Sequence, residues 1–413
     1  MNSFQTVLVC FIFALASTFN MVFSQTPTKN NWKEDLEIYK TSLENKHINL
    51  YHTVSKEAFN KEWDKIYEGL DTQSDFDITL KLMRLTRRIN DGHTAVSLRN
   101  ISTHRFPIEI KLIEGKWYVT KALKSDKQIL TTTLESINGT PINKVAQKVS
   151  EIAQFVENQN SLNERTGSYL TNAEVLYYLN LINKTNEATF SFRTNTNEII
   201  HKNLGAISNK MWEETDISKL VLSVPQIEIP KNENRDIWFA PISGTKAIYV
   251  NFEAYPSFEK MSAFGEQLVS YIQEKQLKQL IIDMRKNGGG DLYVGIVLAH
   301  ALNLADTIDW ENGVFVLTSN TTFSAATSNA ALFKQLLNAT IVGQPTGSNP
   351  NGYQDMDSFT LPNSNLVITY SKRLFRISQQ ANTALQPDIT LHQKTDDLFK
   401  ETDTLLKELI GRL

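Results

Sequence analysis

Cysteine is almost missing from this chain: its 413 residues include one, Cys10. That residue lies in an N-terminal stretch that reads as a removable leader, so the mature chain is expected to carry no thiol. A cysteine nucleophile, a disulfide framework and a cysteine metal site are thereby excluded. A strong charge of either sign is missing as well. A net charge of -3 gives no footing for nucleic acid or an anionic membrane surface. No His, Asp and Glu cluster has metal-ligand spacing, so no metal and no cofactor are expected. Internal repeats and low-complexity tracts are absent too. What remains is an ordinary globular composition, 41% hydrophobic and 21% charged, in a chain long enough for two or three domains.

The leader is short. Val7 to Ser17 is an uncharged apolar core, followed by small and polar residues before Gln25-Thr26-Pro27. This is the length of a secretory signal and too short for a spanning helix. The first residues, Met1-Asn2-Ser3, lack the usual Lys or Arg. Residues 1–24 are read as a signal peptide cleaved near Ser24-Gln25, which makes the chain exported, periplasmic or extracellular. Val9 before Cys10 argues against lipid attachment at that cysteine.

Residues 25–100 read as a helical domain. Phe59, Trp63, Ile66 and Leu70 share one helical face behind a Ser55 cap. Ile78, Leu82, Leu85 and Ile89 repeat in the same way, behind a Ser74–Asp77 capping box. A polar turn, Asn90-Asp91-Gly92-His93-Thr94, then leads into the strand Ala95 to Leu98. Residues 101–205 alternate as half-buried strands around one helix, a small α+β module, and its Ser136-Ile137-Asn138-Gly139 turn resembles one found in PDZ-like peptide-binding domains. Residues 206–240, with Pro225 and Pro230, read as a linker. From 241 to 413 strands alternate with helices, which implies a largely parallel layered sheet and an α/β fold. Leu366 to Tyr370 is expected as an edge strand of it, and Thr395 to Leu413 as a terminal helix.

Two loops of this region carry chemistry. Leu280-Ile281-Ile282-Asp283 runs into Gly288-Gly289-Gly290 before the helix at Leu292. Bare amides at such a strand-to-helix turn suit a resting anion or a transient oxyanion. Ser324, in Thr322-Phe323-Ser324-Ala325-Ala326, sits between the next strand and its helix, where its oxygen and the following amide face one space. The residues equally suit a plain N-cap serine. Adjacent strands would bring both loops to their carboxyl ends, where ligands bind in open α/β sheets. A nucleophilic serine needs a base, and of seven histidines His93, in its polar turn, has the most suitable setting.

Taken together, Asp283 to Gly290, Phe323-Ser324-Ala325-Ala326 and Val342-Gly343-Gln344-Pro345-Thr346-Gly347 resemble the core of the C-terminal processing (tail-specific) and tricorn-type serine peptidases. Asp91-Gly92-His93-Thr94, Leu361-Pro362-Asn363-Ser364 and Gln386-Pro387-Asp388-Ile389 match further segments of that superfamily, so the resemblance covers about residues 85 to 400. It implies a layered core related to crotonase and the Clp protease, and a peptide or protein substrate. It also implies Ser324 as nucleophile, with an oxyanion hole from Gly288, Gly289 and Ala325. Substrate contacts are expected at Thr346, Gly347 and Asn351. One departure matters. Tail-specific proteases place a dyad lysine about 25 residues after the serine, and here Thr346-Gly347-Ser348-Asn349-Pro350 has none. The resemblance therefore points to a Ser–His arrangement with His93, oriented by Asp355 or alternatively by Asp91. A non-catalytic binding protein on the same fold is the competing expectation. Acyl-CoA chemistry shares the oxyanion turn but conflicts with the export signal.

Overall fold

A computed structural model describes residues 28–231, 236–378 and 383–413. The signal peptide expected at residues 1–24, with Cys10, lies outside them.

The N-terminal helices begin where their caps predict. Lys29–Lys46 starts on a Thr28–Asn31 capping box, Lys56–Glu68 on Ser55, and Asp75–Arg87 on the Ser74–Asp77 box. Their apolar faces do not close on themselves. Phe59, Ile78 and Leu82 belong to one hydrophobic core that continues through Ile108, Val119, Phe190 and Phe192 of the following module. Each such buried side chain contributes roughly 1.5–3 kcal/mol. The module's sheet runs in the order 217–219, 116–123, 133–137, 187–193, 199–205, with Ile108–Ile113 also pairing Lys116–Leu123. Residues 206–240 carry more structure than a linker: the helix Asn209–Glu214 and the strands Ile217–Lys219 and Ile237–Pro241 lie within them.

The third part is an α/β layer. Six strands pair in the order Ile237–Pro241, Ala247–Phe252, Gln279–Asp283, Val314–Thr318, Thr340–Gly343, Ile389–Thr390, all parallel except the first pair. Successive strand residues point to opposite faces. Ile248, Val250, Leu280, Ile282, Val316 and Ile341 pack with the helices Phe258–Glu274, Leu292–Leu302 and Ala325–Leu336. Tyr249, Ile281, Leu317 and Val342 pack on the other face with Leu405, Leu406 and Leu409 of the short helix Thr404–Ile410. Burial on both faces explains why these strands read as continuous apolar runs.

Two elements depart from expectation. The strand expected at the sheet's edge is Val367–Arg376, the central strand of a separate three-stranded antiparallel sheet between Ala95–Ser97 and Asn351–Thr360. The expected terminal helix is two short ones, Thr395–Leu398 and Thr404–Ile410. No helix among the described residues is long and apolar enough to cross a membrane.

Candidate active site

Three loops leave neighbouring parallel strands at their carboxyl ends, and backbone hydrogen bonds lace them together. The glycine turn after Gln279–Asp283 accepts the Phe323 N–H at the Asn287 carbonyl, 3.1 Å. Thr322 Oγ1 donates to the Met284 carbonyl at 2.9 Å. Gly347 N–H, from the loop after Thr340–Gly343, donates to the Thr322 carbonyl at 2.8 Å. The base of the turn is a buried ion-pair network. Arg285 donates from Nε and Nη2 to Asp283 and from Nη1 and Nη2 to Asp403, at 2.6 to 3.1 Å. Burial alone would raise the pKa of Asp283. The Arg285 charge and the Tyr249 hydroxyl, 2.8 Å away, outweigh it and hold the carboxyl below its usual range.

Ser324 is not an ordinary cap. Its φ of 54° and ψ of -128° place it outside the helical and extended regions, and its side chain caps no amide. Such a conformation costs on the order of 1–3 kcal/mol and persists only when surroundings hold it. Here Ser348 holds it. Ser324 N–H donates to Ser348 Oγ at 2.7 Å, and that hydroxyl donates to Thr327 Oγ1 at 2.8 Å. Ser348 thus occupies the loop where tail-specific proteases would carry a lysine, and fixes the serine backbone. Ala325 opens the helix, so its N–H is among those left without an intrahelical carbonyl.

The space around Ser324 Oγ is closed on one side by Gly289. This residue has a φ of 109°, and a methyl group there would lie 2.7 Å from Ser324 Cβ. Gly289 N–H donates to Asn287 Oδ1 at 2.9 Å, and Asn287 is itself anchored through Nδ2 to the Phe252 carbonyl at 3.0 Å. Gly288 faces open space.

His93 arrives from the other end of the chain. Its turn precedes Ala95–Ser97, which pairs with Val367–Arg376 and so is fixed to the C-terminal half. The backbone closes tightly at Gly92, where a methyl group would meet Phe323 Cζ at 2.8 Å and Glu157 Cδ at 3.1 Å. His93 Nε2 then lies 2.8 Å from Ser324 Oγ. Burial, aided by the Arg165 charge, pushes the imidazole pKa below its usual value, against the charges of Asp91 and Asp355 and the backbone of Tyr353. The ring is therefore neutral near neutral pH and can accept a proton. Its Nδ1 is buried and takes no side-chain partner among the described residues; the Tyr353 backbone is the hydrogen-bonding group that favours the charged ring.

Both candidate orienters are near, but neither binds the ring. Asp91 Oδ1 accepts the His93 backbone N–H at 2.9 Å, while Oδ2 accepts from Thr94 Oγ1 at 2.6 Å and contacts His47 Nε2 at 2.9 Å. Asp355 has a φ of 58° in the strand Asn351–Thr360, which turns its carboxylate to Arg373 Nε at 3.2 Å and Lys372 Nζ at 3.6 Å. It reaches His93 only as a charge.

The expected substrate contacts have internal work instead. Thr346 Oγ1 donates to the Ser348 carbonyl and accepts the Leu385 N–H. Gly347 is buried, with its N–H committed to Thr322. Asn351 exchanges two hydrogen bonds with the Ser378 backbone, at 2.6 and 2.8 Å. These polar groups of Thr346, Gly347 and Asn351 are committed to neighbouring backbone.

Two residues of the module enter the site without any motif to announce them. Glu157 is half-buried beside the Asp91 turn, and accepts the backbone amides of Asn349 and Gly92. Burial pushes its carboxyl up to about 8, the Asp91 charge adding to this and the two amides opposing it. Asp91, His93 and Glu157 bring potential ligand atoms within 4.8 Å of one another. Protein donors already engage Asp91 and Glu157, and Ser324 engages His93, so the cluster reads as a tie between the histidine turn and the serine loops. The second residue is Arg165, half-buried on the helix Gln159–Tyr169, with its guanidinium 5.2 Å from the Phe323 ring centre.

Residues 300–391 match the family model described as Peptidase family S41. Among solved structures, mature CPAF complexed with lactacystin is similar with a TM-score of 0.68 at 14% identity, covering 93% of this chain and 97% of that one. Mature CPAF by itself gives 0.68 at 14% identity, with 93% and 96% covered. At that identity the likeness concerns the fold. No curated protein matches the chain in sequence.

Proposed function

We propose that this chain, which matches the model of Peptidase family S41 over residues 300–391, is a serine-type peptidase that hydrolyses peptide bonds through an acyl-enzyme on Ser324. The observation that carries this reading is the 2.8 Å contact of His93 Nε2 with Ser324 Oγ, on a serine held at positive φ. Ser324 Oγ attacks the scissile carbonyl carbon while its proton passes to His93 Nε2. The resulting oxyanion is met by Ala325 N–H and by the glycine turn, where Gly288 is open and Gly289 shares its N–H with Asn287 at rest. Collapse of the tetrahedral intermediate breaks the C–N bond, and His93 returns the proton to the leaving amine. Water, deprotonated by His93, then attacks the ester and restores Ser324.

Asp91 positions His93 through its backbone, and Asp355 favours the imidazolium from a distance. The module supplies the peptide side: its sheet ends on Ile199–Gly205, an edge that an extended chain can join. The apolar leader places the mature enzyme outside the cytoplasm in this reading, and N-terminal sequencing of the exported chain checks it.

Labelling with a fluorophosphonate tests the nucleophile. The expected result is one adduct, mapped to Ser324 by mass spectrometry and lost in His93→Ala. A folded chain that takes no adduct on Ser324 overturns the mechanism.

A further inference from the structure

His47 ends the helix Lys29–Lys46 in a stretch with no motif, and its side chain and that of Asp91 are fully buried. Each of its ring nitrogens has a partner. Nδ1 accepts the Asn49 N–H at 2.9 Å, which leaves the ring proton on Nε2. Nε2 lies 2.9 Å from Asp91 Oδ2 and donates to it. Oδ2 also accepts from Thr94 Oγ1, and the other Asp91 oxygen accepts the His93 N–H at 2.9 Å. A chain of hydrogen bonds thus runs from Asn49 through His47 and Asp91 to the backbone of the base.

The same ring faces the second support of His93. It stands 5.8 Å from the Tyr353 ring, and the Tyr353 backbone is the hydrogen-bonding group that favours the charged His93 imidazole. The turn after His47 grips Tyr353 twice more. Asn49 Nδ2 donates to its hydroxyl at 3.1 Å, and the His52 ring packs 4.1 Å from its ring. Ile48 N–H donates to the Ser371 carbonyl at 3.1 Å, which ties the turn to the neighbouring strand Val367–Arg376. A buried carboxylate is tolerated only while its oxygens are met. Without the His47 donor, Asp91 Oδ2 would keep Thr94 alone, with a Glu157 carboxyl oxygen within 4.8 Å.

Resting on the peptidase reading above, we infer that His47 is a positioning residue for the general base. Its Nε2–H holds Asp91 in place, its ring holds Tyr353, and the two together set the His93 imidazole against Ser324. Among the described residues, His47 has no hydrogen bond to Ser324 or to the glycine turn, so it acts through His93. The N-terminal helices thereby take part in the chemistry, although the nucleophile lies in the α/β layer.

The test uses the mature chain and two substitutions that divide the side chain's properties. His47→Phe keeps a ring against Tyr353 but has no donor for Asp91. His47→Gln has an amide that can donate to Asp91 and accept from Asn49. Peptide cleavage is measured as kcat and KM per active site, with sites counted by fluorophosphonate adducts on Ser324. His47→Phe is expected to lower kcat per site by about 10- to 100-fold, the size of a misplaced catalytic group, with KM within about twofold of the wild type. The rate of fluorophosphonate labelling should fall with it, because labelling needs the Ser324–His93 pair and no bound peptide. His47→Gln should recover most of the loss. Asp91→Asn combined with His47→Phe should cost about as much as the more severe change alone, since both act along one path.

A purely structural role would lower the melting temperature and the number of labelled sites, but not the rate per site. An unchanged rate per site in His47→Phe therefore overturns the inference, as does a rise in KM at constant kcat. Fully additive losses overturn the route through Asp91. Should His47→Phe fail to fold, imidazole nitrogen spectra of the wild type decide: a His47 proton on Nδ1 overturns the arrangement, and one on Nε2 supports it. These outcomes leave the peptidase reading standing. A folded wild type that takes no label and cleaves nothing overturns that reading and this inference with it.

Discussion

His93 Nε2 and Ser324 Oγ lie 2.8 Å apart across 231 positions of chain. Neither residue's local sequence produces that contact. The serine is presented by the parallel sheet, at the end of Val314–Thr318. The histidine is presented by a turn whose following strand, Ala95–Ser97, is paired to Val367–Arg376. The site therefore exists only when both ends of the chain are folded together, and peptidase activity is expected to vanish with global unfolding rather than to decline in stages.

Removing the nucleophile separates chemistry from folding. Ser324→Ala is expected to lower kcat by about 10⁴-fold or more. It should leave the melting temperature close to that of the wild type, because the side chain caps no helix amide. Ser324→Gly goes further, since glycine accepts a φ of 54° without strain. It is expected to be inactive and at least as stable. A Ser324→Ala chain that retains hydrolysis in a peptide-cleavage assay removes Ser324 from the mechanism.

The acid limb of the pH profile belongs to His93. The imidazole must be neutral to accept the serine proton, so activity is lost as pH falls through its pKa. Burial lowers that pKa beneath the ordinary 6.5, and the charge of Arg165 acts in the same direction. The limb in kcat/KM for an uncharged peptide is accordingly expected below pH 6.5. Arg165→Gln removes the neighbouring positive charge and should move the limb upward, whereas Asp91→Asn should move it downward. Initial rates across pH read both shifts, and a limb unmoved by either change assigns it to another group.

The sequence made part of this legible. Strand and helix periodicity announced the parallel layer, because its strands are buried on both faces and its helices carry one apolar stripe each. Turn chemistry announced His93, Ser324 and the glycine loop. The small sheet of Ala95–Ser97, Val367–Arg376 and Asn351–Thr360 was not legible, since an apolar run such as Leu366 to Tyr370 does not say which sheet it joins. Asp355 looked like an orienter by position, but its φ of 58° turns it to Arg373 and Lys372. Glu157, Arg165 and Ser348 gave no signal. Their roles come from burial or from contacts distant in the chain, 24 positions for Ser348 with Ser324 and 192 for Glu157 with Asn349, and spacing along a chain carries neither.

Gly289 tests how tightly the turn is fitted to the nucleophile. A methyl group there meets Ser324 Cβ at 2.7 Å and the Phe323 carbonyl at 3.0 Å, on a backbone with a φ of 109°. Gly289→Ala must displace either the turn or the serine. A loss in kcat of about 10²- to 10³-fold is expected, the size seen when one oxyanion donor is lost. The strain adds a destabilisation of about 1–3 kcal/mol, read by denaturant unfolding. Gly288→Ala, where the added methyl meets open space, should be nearly silent in stability. Equal effects from the two changes would show that close packing against Ser324 is not what the triple glycine provides.

Glu157 makes stability depend on pH in a direction unusual for a carboxylate. Burial raises its pKa from an ordinary 4.5 to about 8, so the folded chain holds a proton that the unfolded chain has released throughout that window. The folded state binds the extra proton, and the contribution of this group to stability is fully present below pH 4.5 and lost as pH rises toward 8. The slope cannot exceed about 1.4 kcal/mol per pH unit, which amounts to a few kcal/mol across the window. His93, with its lowered pKa, acts oppositely and favours folding as pH rises toward 6.5. Because that term is common to both proteins, Glu157→Gln isolates the carboxyl. The amide can still accept from Asn349 and Gly92 but cannot ionise, so the variant is expected to lose less stability than the wild type between pH 4.5 and 8. Denaturant unfolding at steps across that range gives the difference curve. Parallel curves would mean that Glu157 is already ionised in the folded chain, and that its amide partners outweigh its burial.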